Sequence, residues 1–206
     1  NSIPISVSIV IPVLNKLDLT RGCLAALERS GGLTAHEIIV VDNGSTDGTA
    51  EFLSGLESKG RIRVIRNSNN LGFAHACNQG AQIAKGKFIL FLNNDTVVVP
   101  GWLDALVIAA HRPEVGVVGA KLLYENNTIQ HAGIGWVNGL PDHPWRHISS
   151  LAPEVNAFRE LDMVTGACLL IDHALFVELH GFDEVYRNGV EDIDLCLRVR
   201  SAGRKV

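Results

Sequence analysis

Short aliphatic runs recur along the first part of the chain, separated by segments whose apolar positions fall three or four residues apart. Residues 7–13 (VSIVIPV) are apolar almost without a break, which suits a strand covered on both faces rather than one facing water. Leu19, Leu24 and Leu27 then line one side of a helix beginning near Asp18. Residues 37–42 (EIIVVD) predict a second strand, and Asn43-Gly44-Ser45-Thr46-Asp47-Gly48 a turn in which Ser45 or Asp47 is placed to cap the next helix. Residues 61–66 (RIRVIR) alternate apolar and basic, as a strand near a sheet edge does. Small residues over 72–84 predict a helix, 87–92 (KFILFL) a strand, Pro100 the first turn of a helix reaching about His111, and 115–119 (VGVVG) a fifth short strand.

This alternation predicts an α/β chain: a doubly wound, mostly parallel sheet with helices on both faces. From Lys121 the rhythm changes. Gly133, Gly135, Gly139, Pro141, Pro144 and Pro153 punctuate a stretch expected to lie as loops and short strands over the mouth of the sheet. Regular structure resumes with a strand over 161–172 that includes Gly166-Ala167-Cys168, a short helix ending at His180-Gly181, and a last helix from Glu191 to about Ala202, stopped by Gly203. Residues 203–206 read as the lead-in to another strand, so the chain is expected to be truncated C-terminally, with some active-site residues beyond it.

Composition narrows the partners. Eighteen Lys and Arg against 22 Asp and Glu give a net charge of -4, which offers no basic field for nucleic acid. Cys23, Cys77, Cys168 and Cys196 are widely spaced among apolar or small residues, as reduced core thiols of a cytosolic compartment are. No apolar run approaches the ~20 residues of a membrane helix, and no signal-peptide pattern opens the sequence. The expected location is cytoplasmic, reaching any membrane-bound acceptor peripherally from the inner face.

The chemistry is carried by acidic residues at element ends. Asp42 ends the second strand, where a carboxylate can accept from a base N–H or ribose hydroxyls; turn formation is the competing explanation. Asn93, Asn94 and Asp95 end the 87–92 strand with oxygen-bearing side chains suited to Mg²⁺ or Mn²⁺, although an Asx turn would use the same residues. Such an ion would offset charge gathering on a departing nucleoside diphosphate. Gly72 enters a helix and Gly80 lies past its midpoint, an arrangement that lets a ligand approach, with Asn78 placed to bond a phosphate, a ribose or a neighbouring loop.

Glu191-Asp192-Ile193-Asp194 opens the last helix; Asp194 is spaced to pair with Arg198 and Asp192 is assigned as general base, with charge complementarity to the helix end the competing explanation. His131, Trp136, Trp145 and Glu191 are candidate sugar or acceptor contacts, with loop anchoring the alternative for the tryptophans. Gly166 and Ala167 would leave space for a sugar, or permit close sheet packing. His131, His143 and His147 lack metal-ligand spacing, and Cys168 has no histidine placed to activate it.

Taken in order, Val10-Ile11-Pro12-Val13-Leu14-Asn15, the 42–48 turn, Asn69-Asn70-Leu71-Gly72-Phe73, Asn94-Asp95, Gly181-Phe182-Asp183-Glu184 and the 191–198 segment resemble a family 2 glycosyltransferase of the A-type fold. The resemblance covers residues 7–205. It implies that Pro12 and Asn15 flank a nucleotide pocket with Asn94 beside it, that Asp42 contacts the base, and that Asp95 is the last acid of a D-x-D-like metal motif. Asp192 is then the base of an inverting transfer from a nucleoside-diphosphate-sugar to a glycan, lipid-linked glycan or other hydroxyl acceptor. Gln130-His131-Ala132-Gly133 is similar to a rhamnosyltransferase-like branch of cell-surface polysaccharide synthesis. On this reading, residues 1–120 form the nucleotide-sugar-binding core and 121–206 the acceptor-side portion of the same domain.

The sequence departs from the family at Asn93, where many relatives carry an acid, and ends before a later histidine of the family. A dehydrogenase would need G-x-G-x-x-G where Pro12-Val13-Leu14-Asn15 stands. A sugar-phosphate nucleotidyltransferase would need a basic, glycine-rich loop there, and a non-catalytic nucleotide-sugar-binding module would have no use for Asp192.

Overall fold

A computed structural model describes residues 6–31, 36–186 and 189–206. Strand β1 (Val7–Val13) leads to helix α1 (Leu17–Arg29), β2 (Glu37–Asp42), α2 (Thr49–Glu57), β3 (Arg63–Arg66), α3 (Phe73–Ile83), β4 (Phe88–Leu92), α4 (Trp102–Ala110) and β5 (Val117–Gly119). Two hairpins follow, β6 (Leu122–Leu123) with β7 (Ile129–His131) and β8 (Gly135–Val137) with β9 (Leu140–Asp142). The chain then forms a 3-10 turn (Pro153–Val155), β10 (Cys168–Asp172), α5 (His173–Glu178) and α6 (Glu191–Ser201). Pro100 stands ahead of the Gly101 N-cap rather than inside the first turn of α4.

The main sheet has the order β3-β2-β1-β4-β10-β5. Strands β3, β2, β1 and β4 are parallel, whereas β10 runs antiparallel to both β4 and β5. The expected doubly wound, mostly parallel sheet is therefore present, with one reversed strand near its edge. Alternate residues of each central strand serve opposite cores, because side chains leave a strand on alternating faces. Val10, Ile39, Phe91 and Leu169 face α3, α5 and α6, while Ile9, Ile11, Val40 and Leu90 face α1, α2 and α4. Each fully buried Ile, Leu or Phe contributes roughly 1.5–3 kcal/mol by removal from water.

The strand expected over 161–172 is shorter, because residues before Cys168 turn away from the ladder. Ile134 and Met163 form an isolated bridge, and the backbone N–H groups of Val164, Thr165 and Gly166 donate to the side chains of Cys196, His131 and Asp192. Gly166 and Ala167 thus lie in a turn, not in the strand. The lead-in at the end of the chain is present as a parallel bridge between Lys205 and Val115. Gly80 allows α3 to approach β1, since an added Cβ would lie 2.3 Å from Val10 Cγ1; of the two readings of this glycine, ligand approach or a tightly packed core helix, the structure shows the second.

Candidate active site

Asp42 and Asp95 emerge at the same end of the sheet, because β2 and β4 both run parallel to β1 and both carboxylates follow the C-terminal ends of their strands. Asp42 is buried and accepts from the Ser45 N–H at 2.9 Å, closing the turn after β2. That turn is stitched to the one after β1. Asn15 Oδ1 accepts from Thr46 N–H at 2.8 Å, Asn15 N–H donates to Ser45 Oγ at 2.7 Å, and Leu17 N–H donates to Asp47 Oδ2 at 3.0 Å. Asp47 therefore serves the start of α1 as well as Thr49 at the start of α2, whose own N-cap is Gly48. Pro12 sits one strand away, paired in register with Val41.

Beneath these turns lies Asn43, a buried hub that the sequence reading treated only as part of a turn. Its Nδ2 donates to Asn70 Oδ1 at 2.9 Å and to the Gly72 carbonyl at 3.1 Å. Its Oδ1 accepts from Asn67 Nδ2 at 3.0 Å and from Leu71 N–H at 3.1 Å. Gly44 is held at φ +91°, and a Cβ there would meet the Asn69 backbone at 2.8 Å, so glycine is required both by conformation and by space. Gly72 enters α3 at φ 95° with its carbonyl committed to Asn43 and Ala76, and its N–H to Asn70.

The second edge element is the turn after β4. Asn94 Nδ2 donates to the buried Thr20 hydroxyl of α1 at 2.9 Å, and Cys23 Sγ contacts the Asn93 carbonyl at 3.8 Å. Asp95 is left exposed. Among the described residues no group of three or more His, Cys, Asp or Glu side chains is arranged to hold a metal ion. One free carboxylate with amide oxygens beside it fits a hard ion that brings most of its ligands with it as phosphate oxygens and water.

Asp192 reaches this edge from the far end of the sequence. Register pairs Cys168 with Leu92, and Asn93 N–H donates to the Ala167 carbonyl at 3.0 Å, which lays the 165–167 turn directly beside the Asn93–Asp95 turn. Asp192 Oδ2 accepts from Gly166 N–H at 2.7 Å, and Oδ1 from Ile193 N–H at 2.8 Å. An added Cβ on Gly166 would lie 3.5 Å from Asp192 Cβ and from the Phe73 ring, ordinary contact in a closely packed place. Asp194 pairs with Arg198 at 2.7 Å, and Arg198 also donates to the Leu179 and Gly181 carbonyls. Glu191 is buried, its Oε2 lacks a hydrogen-bond partner among the described residues, and burial pushes its carboxyl up.

Asn78 takes the last of its three sequence-derived options. Its amide donates to the Phe182 carbonyl and to Glu184, both at 2.9 Å, and its Oδ1 accepts from Phe182 N–H at 2.9 Å, so it pins a loop rather than pointing at a phosphate or ribose. Trp136 is half exposed on β8, and Trp145 packs under the Arg159 guanidinium, 4.8 Å from the ring centre. His131 is buried, and both its ring nitrogens are engaged: Nε2 with Thr165 N–H at 3.4 Å and Nδ1 with His143 Nδ1 at 3.0 Å. Its ring nitrogens are thus already engaged within the protein, although the residue lines a cavity of about 490 Å³. Burial, with His143 and then Arg146 adding to it, lowers the His131 pKa to about 3. Burial also lowers that of His143, against an upward pull from Asp142 and Asp192. Nothing local in the sequence signalled the His131–His143 pair.

All four cysteines are free and buried, and burial raises Cys23, Cys168 and Cys196 to about 12, which leaves no thiolate for nucleophilic work. Of two cavities of about 480 and 490 Å³, the second lies between α4 and β5 on one side and residues 131–133 and 155–161 on the other, and neither is lined by Asp42, Asp95 or Asp192. Among the described residues no helix is long and apolar enough to cross a membrane.

Residues 8–179 match the family described as glycosyl transferase family 2. The chain belongs to glycosyl transferase family 2. Among curated members of related sequence, the O-antigen biosynthesis protein RfbC of Myxococcus xanthus is 36% identical over 209 residues, covering 97% of this chain and 16% of that protein. The N-acetylglucosaminyl-diphospho-decaprenol L-rhamnosyltransferase of Mycobacterium tuberculosis is 28% identical over 194 residues, covering 81% of this chain and 61% of its own length. This family 2 chain therefore spans less than two thirds of either relative. The solved mannosyltransferase PcManGT of Pyrobaculum calidifontis, in complex with GDP-Man and Mn²⁺, superimposes with a TM-score of 0.73 at 17% identity, covering 99% of this chain and 54% of that one. The likeness establishes the A-type glycosyltransferase fold for this family 2 member.

Proposed function

We propose that this chain carries the catalytic domain of an inverting glycosyltransferase, which moves a sugar from a nucleoside-diphosphate-sugar to an acceptor hydroxyl. The observation that carries the reading is the adjacency of two turns: Asn93 N–H bonds the Ala167 carbonyl, while the neighbouring Gly166 N–H holds Asp192. An exposed Asp95 and a backbone-anchored Asp192 therefore flank one short stretch of backbone, with Asp42 on the same sheet edge.

In this mechanism Asp42 accepts hydrogen bonds from the base or ribose, with Pro12 and Asn15 bounding that pocket. Asp95, with Asn94 beside it, would hold Mg²⁺ or Mn²⁺ together with the diphosphate. A bound ion supplies positive charge against the leaving group. Asp192 takes the acceptor's O–H proton as that oxygen attacks the anomeric carbon from the face opposite the diphosphate. The old carbon–oxygen bond breaks with its electron pair leaving on the nucleoside diphosphate, and configuration inverts. Two backbone donors fix the orientation of Asp192, and orientation is what makes a modest base effective.

The branch similar to rhamnosyltransferases supplies a narrower reading: transfer of a hexosyl or deoxyhexosyl unit to a glycan or lipid-linked glycan in cell-surface polysaccharide assembly, at the cytoplasmic side. It is supported by Gln130-His131-Ala132-Gly133 and by the mycobacterial relative.

The test is a titration of nucleoside diphosphates and nucleotide-sugars with and without Mn²⁺, followed by a release assay with the best donor. Free nucleoside diphosphate is the expected product. Pyrophosphate released from a sugar phosphate plus nucleoside triphosphate would replace this reading with nucleotidyl transfer, and binding without turnover in the full-length protein would make it a binding module.

A further inference from the structure

The Thr165–Gly166 turn uses consecutive backbone N–H groups for two different side chains: Thr165 N–H donates to His131 Nε2 at 3.4 Å and Gly166 N–H to Asp192 Oδ2 at 2.7 Å. The first of these bonds fixes a tautomer. A ring nitrogen that accepts from an N–H carries no proton, so neutral His131 holds its proton on Nδ1. Nδ1 lies 3.0 Å from His143 Nδ1, with the rings edge to face at 77° and 5.0 Å between centres. His131 therefore donates and His143 Nδ1 accepts, which places the His143 proton on Nε2. That nitrogen lies across the ring from His131 and has no hydrogen-bond partner among the described residues.

His143 is half buried, and its partner His131 is held by the Thr165 N–H next to the Gly166 N–H that holds Asp192, while no hydrogen bond joins His143 to Asp192 among the described residues. A partly buried N–H in a set tautomer, beside but not bonded to the general base, has the form of a ligand-facing donor. We propose that His143 binds the acceptor: its Nε2–H donates to an oxygen of the acceptor sugar next to the hydroxyl deprotonated by Asp192, and His131 is the positioning residue that keeps the proton on that nitrogen. The proposal rests on the assignment of Asp192 as base. It specifies an acceptor bearing two oxygens on neighbouring carbons, as a sugar ring does and a simple alcohol does not. His143 stays neutral in this role. It supplies a hydrogen bond, and the proton in transit goes to Asp192.

The experiment has two arms. In full-length protein, long-range proton–nitrogen NMR correlations of the histidine rings should show His131 protonated on Nδ1 and His143 on Nε2; the opposite tautomer of His143 would overturn the proposal without reference to activity. In the second arm, His143→Phe and His143→Gln are assayed with methyl glycosides of glucose, galactose, mannose, rhamnose and N-acetylglucosamine. His143→Phe should raise the acceptor KM about tenfold, the scale of one hydrogen bond, with donor KM and slow donor hydrolysis by water unchanged. His143→Gln, which returns an N–H near the Nε2 position, should recover part of the loss. A wild-type acceptor KM in His143→Phe, with turnover intact, would sink the role of His143 alone. Absence of donor turnover in the wild type would bring down the reading of Asp192, and this inference with it.

Discussion

Asp192 is joined to Gly166 by a 2.7 Å hydrogen bond from the backbone N–H to Oδ2, although the two residues lie 26 positions apart. The contact binds the first turn of α6 to the turn that opens β10, and so brings a late carboxylate to the edge that the early strands define.

Replacing Asp192 by Asn keeps the side chain's shape and its capacity to accept from Gly166 while removing the base. Sugar transfer should fall by about 10²–10⁴-fold, the range associated with a positioned general base. Nucleoside diphosphate affinity, read by calorimetry, should stay within about twofold of wild type. Normal turnover in this variant would reject the assignment.

Asp95→Ala should leave the fold intact, since the side chain is exposed and no hydrogen bond joins it to another of the described residues. The expected change is in metal linkage. Mn²⁺ should strengthen nucleoside diphosphate binding to the wild type and have little effect on the variant. Equal Mn²⁺ dependence in both would remove Asp95 from the metal site.

Much of this was readable from the sequence, and the boundary is physical. The doubly wound core was legible because strands buried on both faces have no choice but continuous apolar runs, as Ile38 to Val41 and Phe88 to Leu92 show. The reversal of β10 was not, because its residues would look the same running either way; direction is set by the Cys168–Leu92 register and by the side chains that occupy the N–H groups before it. Asp42, Asp95 and Asp192 were visible as acids at element ends. Asn43 and the His131–His143 pair were missed because their partners are distant in sequence, and only the density of asparagines at 67, 69 and 70 hinted that a polar hub needed filling.

Asn43→Ala should cost about 1–3 kcal/mol, because it strips partners from Asn67 Nδ2, Leu71 N–H and the Asn70 side chain in a partly buried network around a buried amide. Chemical denaturation measures the loss. Gly44→Val should be comparably harmful through the backbone alone, by forcing a β-branched residue to φ +91° against Asn69. A stability within about 0.5 kcal/mol of wild type for either variant would contradict the packing described.

His131 adds a pH dependence with a definite sign. Its folded pKa is about 3 against an ordinary 6.5, so as pH falls below 6.5 the unfolded chain binds a proton that the folded chain refuses. The stabilisation is complete above pH 6.5 and is lost towards pH 3, by up to about 1.4 kcal/mol per pH unit in that window. His36 and His143, both lowered chiefly by burial, act in the same direction. The contribution of His131 is therefore the difference between wild type and His131→Asn, followed by urea unfolding from about pH 7 to about pH 5, a comparison in which titrations common to both proteins cancel. The variant should show the shallower slope; parallel slopes would mean that native His131 takes up its proton as readily as the unfolded chain does.

The excursion from Ala120 to Cys168 leaves the sheet and returns to it at one place, closed by the hydrogen bond from Ala120 N–H to the Cys168 carbonyl at 3.2 Å. Its two ends are clamped side by side, but its return through Val164, Thr165 and Gly166 is tied to Cys196, His131 and Asp192, so variation that leaves Asp192 in place is confined to parts without such ties, as in the exposed β9 edge of the β8–β9 hairpin. On the proposed function, exchange of such exposed parts between relatives should alter acceptor preference and leave donor turnover in place.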